Sequence, residues 1–274
     1  MNEPLKPQQL DAYLARIGFD GPRAPDLSAL DALHRAHVLT IPFENLDVQL
    51  GDPPTLDPVR IFEKLVTRRR GGWCYEQNGL FGRALATLGF PVTRLSAGVM
   101  RQLRGEFAMG SHLALKVTAE GRDWLCDVGF GSTQLAPLPF AAGTWAEAPL
   151  AGELGQVEDG YWRLAITEGP MPLSFDFHDQ PAEEARLEAL CAWQASDPES
   201  IFVQNLVVQQ RRPSGHDMLR GKVLTLTRTK DSEERELASA EELVAVLHEL
   251  FGLDVPEAAG LWPAIEARHA ALFA

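Results

Sequence analysis

The stretch Arg70-Gly71-Gly72-Trp73-Cys74-Tyr75-Glu76-Gln77-Asn78 brings a thiol, a carboxyl and two amides close together behind a pair of glycines. An apolar series at helical spacing follows, Phe81, Leu85 and Leu88, and stops at Gly89 and Pro91. The pattern predicts a tight turn that sets Cys74 at the N-terminus of a helix. There, unpaired N–H groups and the positive end of the helix dipole favour a thiolate. Arg68, Arg69 and Arg70 just upstream push the same way. Most free cysteines are small core hydrophobes. The Gly-Gly turn, and a His and an Asp on one later hairpin, single this one out.

That hairpin is read from its turn. Glu120-Gly121 joins two runs of period-two alternation, Ser111–Thr118 and Arg122–Val128. With a two-residue loop, Ala119 faces Arg122, His112 faces Gly129 and Ala114 faces Asp127. Opposed residues share a face, and so do residues two apart. His112 and Asp127 are therefore diagonal neighbours on one face, within reach of a hydrogen bond. A slip of one residue would separate them. The chemistry this supports is nucleophilic: His112 takes the Cys74 proton, and Asp127 fixes the imidazole tautomer and favours its cation. Val128-Gly129-Phe130-Gly131-Ser132 follows. Its glycines allow close backbone approach to a ligand and its N–H groups suit phosphate, although such a short pattern alone is only a turn. Cys126 should face away from His112 by alternation and be buried.

The elements that must position these groups fall into two regimes. Helices are predicted over residues 7–19, over a segment capped by Asp26, and after Asp57-Pro58, where a cap residue precedes Pro at the first helical position. His34 and His37 sit one turn apart on the second helix. No acidic or sulfur ligand follows at metal-site spacing, so they read as structural. Pro42 forces an extended segment that sets Phe43 beside Glu44. After Pro91 the period becomes two, with strands at Thr93–Met100, Tyr161–Thr167, Leu173–Phe177, Phe202–Gln209 and Lys222–Arg228. Ala141–Gly160 reads as a mobile loop. Ser239 with Glu242 is a capping box opening a helix, and Leu261–Phe273 reads as a last one.

Composition bounds the rest. The 274 residues can build a substantial core, and the net charge of −13 argues against nucleic acid. Three widely spaced cysteines make neither a disulfide framework nor a zinc site, and reduced thiols point to the cytoplasm. No signal peptide and no membrane span are read from the chain.

These motifs resemble a known family. The Cys74 stretch is similar to the Arg-Gly-Gly-x-Cys-x-Glu-x-Asn signature of the arylamine N-acetyltransferases. Ile41-Pro42-Phe43-Glu44-Asn45-Leu46 resembles their second hallmark. Ser111-His112-Leu113 and Cys126-Asp127-Val128-Gly129-Phe130-Gly131 resemble the His and Asp segments in the family's order. The likeness is densest from about residue 7 to residue 135 and thinner in the last third. It lacks the long insertion of eukaryotic members, which implies a bacterial type.

The resemblance implies an α+β fold with a cysteine-protease/transglutaminase-like catalytic core. An N-terminal helical bundle (1–90) would carry Cys74, a central β-barrel (91–200) His112 and Asp127, and an α/β lid (201–274) would close it. It implies that Cys74, His112 and Asp127 are the catalytic triad, that Arg70 and Glu44 form a supporting ion pair, and that Phe43 and Phe130 line an amine pocket. Gly110, Gly129 and Gly131 would lie near the coenzyme. The implied reaction moves an acetyl group from acetyl-CoA, a co-substrate, to an arylamine or arylhydrazine through an acetyl-cysteine, with no metal. Such a protein would be a monomer or a homodimer. An amide synthase of polyketide biosynthesis, a cysteine hydrolase or transglutaminase-like enzyme, and a binding module with no ionised thiol are the competing readings.

Overall fold

The structure is a computed structural model that describes residues 4–131, 134–168 and 173–273. Its first part is helical: α1 (Pro7–Arg16), α2 (Leu27–Thr40), the two-residue strand β1 (Phe43–Glu44), α3 (Leu46–Leu50), α4 (Pro58–Phe62) and α5 (Cys74–Thr87). The cap signals work as read. Asp26 accepts from the Ala29 N–H at 2.8 Å and Asp57 from the Val59 N–H at 2.8 Å. Tyr13, Leu14, Leu30, Leu33, Leu65, Phe81 and Leu85 form one buried cluster between these helices.

The middle of the chain is antiparallel. It runs β2 (Val92–Val99), α6 (Arg101–Arg104), β3 (Met109–Ala119), β4 (Arg122–Cys126), β5 (Leu138–Pro139), β6 (Gly143–Glu147), β7 (Leu150–Gln156), β8 (Trp162–Glu168) and β9 (Leu173–Phe177). The eight strands take the order β5-β4-β3-β2-β9-β8-β7-β6 and curl into a near-closed barrel. The β3–β4 register is the one the turn predicts, with Ala119 opposite Arg122 and Leu115 opposite Cys126. Glu120 and Gly121 both have positive φ, +51° and +73°, as a two-residue hairpin loop requires. Pairing ends at Cys126, so Asp127 lies just beyond the ladder.

The last part is α7 (Glu184–Ser196), α8 (Ile201–Gln204), β10 (Val207–Arg212), β11 (Gly215–Arg220), β12 (Val223–Arg228), β13 (Ser232–Glu236), α9 (Ala240–Glu249) and α10 (Trp262–Phe273). The second sheet has the order β1-β10-β11-β12-β13. It takes its edge strand from the N-terminal part, with Phe43 opposite Gln209 and Glu44 opposite Val208.

Two local expectations are corrected. Ala141–Gly160 contains the paired ribbon β6–β7. One small residue breaks the pattern: a Cβ on Gly152 would lie 2.7 Å from the Trp145 indole nitrogen, so the inward position between Leu150 and Leu154 carries glycine where a strand ordinarily shows an apolar side chain. Phe202–Gln209 is divided. Ser200 caps one helical turn by accepting from the Phe202 N–H, and the Asn45 side chain then donates to the Phe202 and Asn205 carbonyls at 2.8 Å. Its oxygen takes the Val207 N–H at 2.7 Å, where β10 starts. Among the described residues no helix is long and apolar enough to cross a membrane.

Candidate active site

Cys74 is the first residue of α5. The two glycines before it serve close packing. A Cβ on Gly71 would stand 2.4 Å from the Pro42 carbonyl oxygen, and one on Gly72 would stand 2.7 Å from Glu76 Oε2. Free of side chains, the turn lies alongside the Pro42–Glu44 segment: the Gly72 N–H donates to the Pro42 carbonyl at 3.1 Å, and the Glu44 N–H to the Gly72 carbonyl at 3.2 Å. Glu76 Oε2 accepts from the Trp73 N–H at 3.1 Å and caps the helix.

His112 and Asp127 meet as the hairpin parity requires. His112 Nε2 stands 2.8 Å from Asp127 Oδ2, both residues being almost wholly buried. The carboxylate accepts, so Nε2 carries the proton and the other ring nitrogen is left for the Cys74 sulfur, with which His112 shares a hydrogen bond. Burial alone disfavours the imidazolium. The negative charges of Asp127 and Cys74 outweigh it and raise His112 from its ordinary 6.5 to about 10. Phe175 packs tilted and Phe130 edge-to-face against the imidazole, with ring centroids at 4.7 and 5.0 Å.

Asn78 is a residue to which the sequence reading gave no role. Its amide donates to Asp127 Oδ1 at 2.8 Å and to the Leu113 carbonyl at 2.6 Å, while its oxygen accepts from the Val128 N–H at 2.9 Å. The Gly129 N–H also donates to Asp127 Oδ1, at 3.0 Å. One helical turn after Cys74 on the same helix, Asn78 ties α5 to the hairpin. The signal was its spacing of four from the cysteine.

The arginine run divides. Arg68 and Arg69 are exposed. Arg70 is buried and donates to Glu44 at 2.9 Å and Asp47 at 2.7 Å, so its charge is already matched. Lys64 joins the same cluster, 2.9 Å from Asp47 and 2.9 Å from Glu76. Three carboxyls, Glu44, Asp47 and Glu76, thus surround two cations in a space sealed from water. Burial pushes Glu76 up to about 7 against the pull of Lys64, with Glu44 and Asp47 adding to the rise. Asp47 goes down in spite of burial, because Lys64 and Arg70 both touch it.

The thiol faces a cleft of about 430 Å³. Phe43 and Phe130 form part of its wall. So do Phe202, Trp193, Val207 and Met218 from the C-terminal third, which the sequence did not single out. Gly129 lies against Cys74, where a Cβ would come 2.7 Å from the Cys74 Cα. Gly131, at φ +85°, lies against the Gln209 side chain. Gly110 is off the cleft, against Arg186, and its carbonyl accepts from the Tyr75 hydroxyl at 2.7 Å. Ser132 falls outside the described residues. The other two thiols are buried and inert by environment: burial drives both Cys126 and Cys191 far up, and neighbouring negative charge adds to it. Among the described residues no group of three His, Cys, Asp or Glu is placed to hold a metal.

A buried carboxylate orienting an imidazole beside a thiol, at the wall of an apolar cleft in a helical–barrel fold, is an arrangement suited to nucleophilic acyl chemistry. A family model described as N-acetyltransferase matches residues 26–259. The arylamine N-acetyltransferase of Mycolicibacterium smegmatis is 37% identical over 258 residues, 92% of this chain and 94% of that protein. The solved arylamine N-acetyltransferase of Salmonella typhimurium superposes with a TM-score of 0.86 at 30% identity, over 96% of this chain and 100% of that one. That of Mycobacterium marinum in complex with CoA gives 0.83 at 32% identity, over 94% and 97%. The chain belongs to the arylamine N-acetyltransferase family.

Proposed function

We propose that the protein transfers an acetyl group from acetyl-CoA to the nitrogen of arylamines and arylhydrazines by a ping-pong reaction through acetyl-Cys74. The observation that carries the reading is the Cys74–His112–Asp127 line at the wall of an aromatic cleft. In the first half, the Cys74 sulfur attacks the thioester carbonyl. The carbon–sulfur bond to CoA breaks, and the leaving sulfur takes the imidazolium proton of His112. In the second half, the amine nitrogen attacks the acetyl-Cys74 carbonyl and its proton passes to His112. The bond to Cys74 breaks, which releases the amide and restores the starting pair. Each half passes through a tetrahedral oxyanion. The N–H groups of Cys74 and Tyr75, in the first turn of α5 where a helix leaves its donors without internal acceptors, are the donors for it.

Phe43, Phe130 and Phe202 favour a flat aromatic acceptor. The nucleophile is the neutral amine, so arylamines and hydrazines outperform alkyl amines, which are protonated at neutral pH. Gly129 and Gly131 edge the path of the thioester, and Gly110 acts from behind through Tyr75. Free buried thiols suit the cytoplasm.

Intact mass after incubation with acetyl-CoA should show one acetyl group on Cys74. It should persist in buffer and discharge quickly when an arylamine or hydrazine is added. Decay in buffer as fast as with any amine would make the protein a hydrolase.

A further inference from the structure

His34 and His37 lie one turn apart on α2, wholly buried, and the reaction above makes no use of them. Their hydrogen bonds lead to the two arms of the site. His34 Nδ1 is 3.0 Å from the Leu135 carbonyl, which only accepts, so Nδ1 carries the proton. Nε2 is then a lone pair, and it accepts the Asp127 main-chain N–H at 3.3 Å. The chain through His37 is fixed from its far end. Gln77 Nε2 donates to the Gly72 carbonyl at 2.7 Å, so Gln77 Oε1 must accept. It accepts from His37 Nε2 at 3.2 Å. Nδ1 of His37 is left to accept the Tyr13 hydroxyl at 2.8 Å. The two rings therefore hold opposite tautomers, and each uses both nitrogens.

We propose that His34 and His37 are positioning residues for the two arms of the triad, His34 through the Asp127 main chain and His37 through Gln77 and the Gly72 carbonyl of the Cys74 turn. One helix thereby sets the distance between the turn that carries the thiol and the loop that carries the carboxylate. Both rings act as neutral imidazoles: a proton on His34 Nε2 would meet the Asp127 N–H, and one on His37 Nδ1 would force the Tyr13 hydroxyl to turn from donor to acceptor. Burial keeps them so: it lowers His34 to about 4 and His37 to about 3, against the hydrogen bonds that favour the cation. Phe81 packs edge-on to both rings, at 5.8 and 5.5 Å.

The proposal rests on Cys74 being the nucleophile, and its test reads alkylation of that thiol, which needs no acetyl transfer. Gln reproduces the reach of Nε2, and Asn that of Nδ1. His34→Gln should therefore keep most of the Cys74 alkylation rate and kcat, whereas His34→Asn should lower both by about 10²-fold, the scale of a misplaced reacting group. KM for acetyl-CoA should not move. In an Asp127→Asn background, His34→Asn should add little further loss. His37→Asn and Gln77→Ala should likewise be non-additive with each other. A role in stability alone is indicated, and the proposal overturned, if His34→Gln and His34→Asn lose alike, if melting temperature falls with an unchanged alkylation profile, or if the His34 and Asp127 effects multiply. Failure of the wild-type protein to alkylate selectively at Cys74 would instead remove the nucleophile itself.

Discussion

The two arms that meet at the site are held in opposite ways. His112 and Asp127 ride on one hairpin, and strand parity plus a two-residue turn bring them together from fifteen residues apart. Cys74 is held by groups collected from β1, α3, the turn after α4 and α5: Glu44, Asp47, Lys64, Arg70 and Glu76. The first arm is a local device whose error mode is a slip in register. The second is a buried charge balance whose error mode is an unpaired ion. The difference teaches where each arm is fragile. Change on the hairpin should cost chemistry with little stability, and change behind the cysteine should cost stability first.

The sharpest break on the hairpin side is Asp127→Asn. An amide cannot stabilise the imidazolium, and it can select the wrong tautomer, so turnover should fall by about 10³-fold or more. Alkylation of Cys74 at neutral pH should slow with it. Circular dichroism should show the fold retained. Unchanged turnover would take Asp127 out of the mechanism.

Arg70→Met is the matching break on the other side. It leaves Lys64 as the remaining cation for Asp47, at 2.9 Å, and for Glu44, at 3.9 Å, in a buried space, and losing one partner of a buried ion pair costs about 3–5 kcal/mol. Denaturant unfolding measures it. A loss under about 1 kcal/mol, the worth of an exposed pair, would mean that water reaches the cluster.

A milder probe is pH. Glu76 is raised to about 7 in the folded protein, against about 4.3 in an unfolded chain. Between those values the folded form keeps a proton that the unfolded chain has released, so stability falls as pH rises through the window and levels off above it. Glu76→Gln cannot titrate, and its melting temperature should lack that part of the decline. Parallel curves for the two proteins across the window would assign the proton to another group.

The smallest effect tests the hairpin itself. Glu120 holds φ +51°, where a side chain of this type is strained and Asn is at ease. Glu120→Asn should stabilise by about 0.5–1 kcal/mol and leave turnover unchanged. A drop in turnover would mean that the new turn shifts the register on which His112 and Asp127 depend, and a loss of stability would mean that Glu120 is not strained.

By itself the sequence determined whatever rests on short-range rules. Glycine, proline and cap residues set the ends of α2, α4 and α5, and period two with a Glu-Gly turn put His112 and Asp127 on one face. The Gly-Gly turn placed Cys74 at a helix start. These are properties of neighbouring dihedrals, so they are visible along the chain. Tertiary structure decided what depends on distant segments converging. Asn78 reaching Asp127, Asp47 and Lys64 joining Arg70 and Glu44 behind the thiol, and Phe202, Trp193 and Met218 closing the cleft have no periodic signal. Each is a contact across dozens of residues or more, chosen by how the barrel, the helices and the second sheet fill common space. The ribbon in Ala141–Gly160 stayed hidden because Gly152 of β7 leaves its inward place to the Trp145 ring of the facing strand β6, a cross-strand fit that shows only once the two strands are paired.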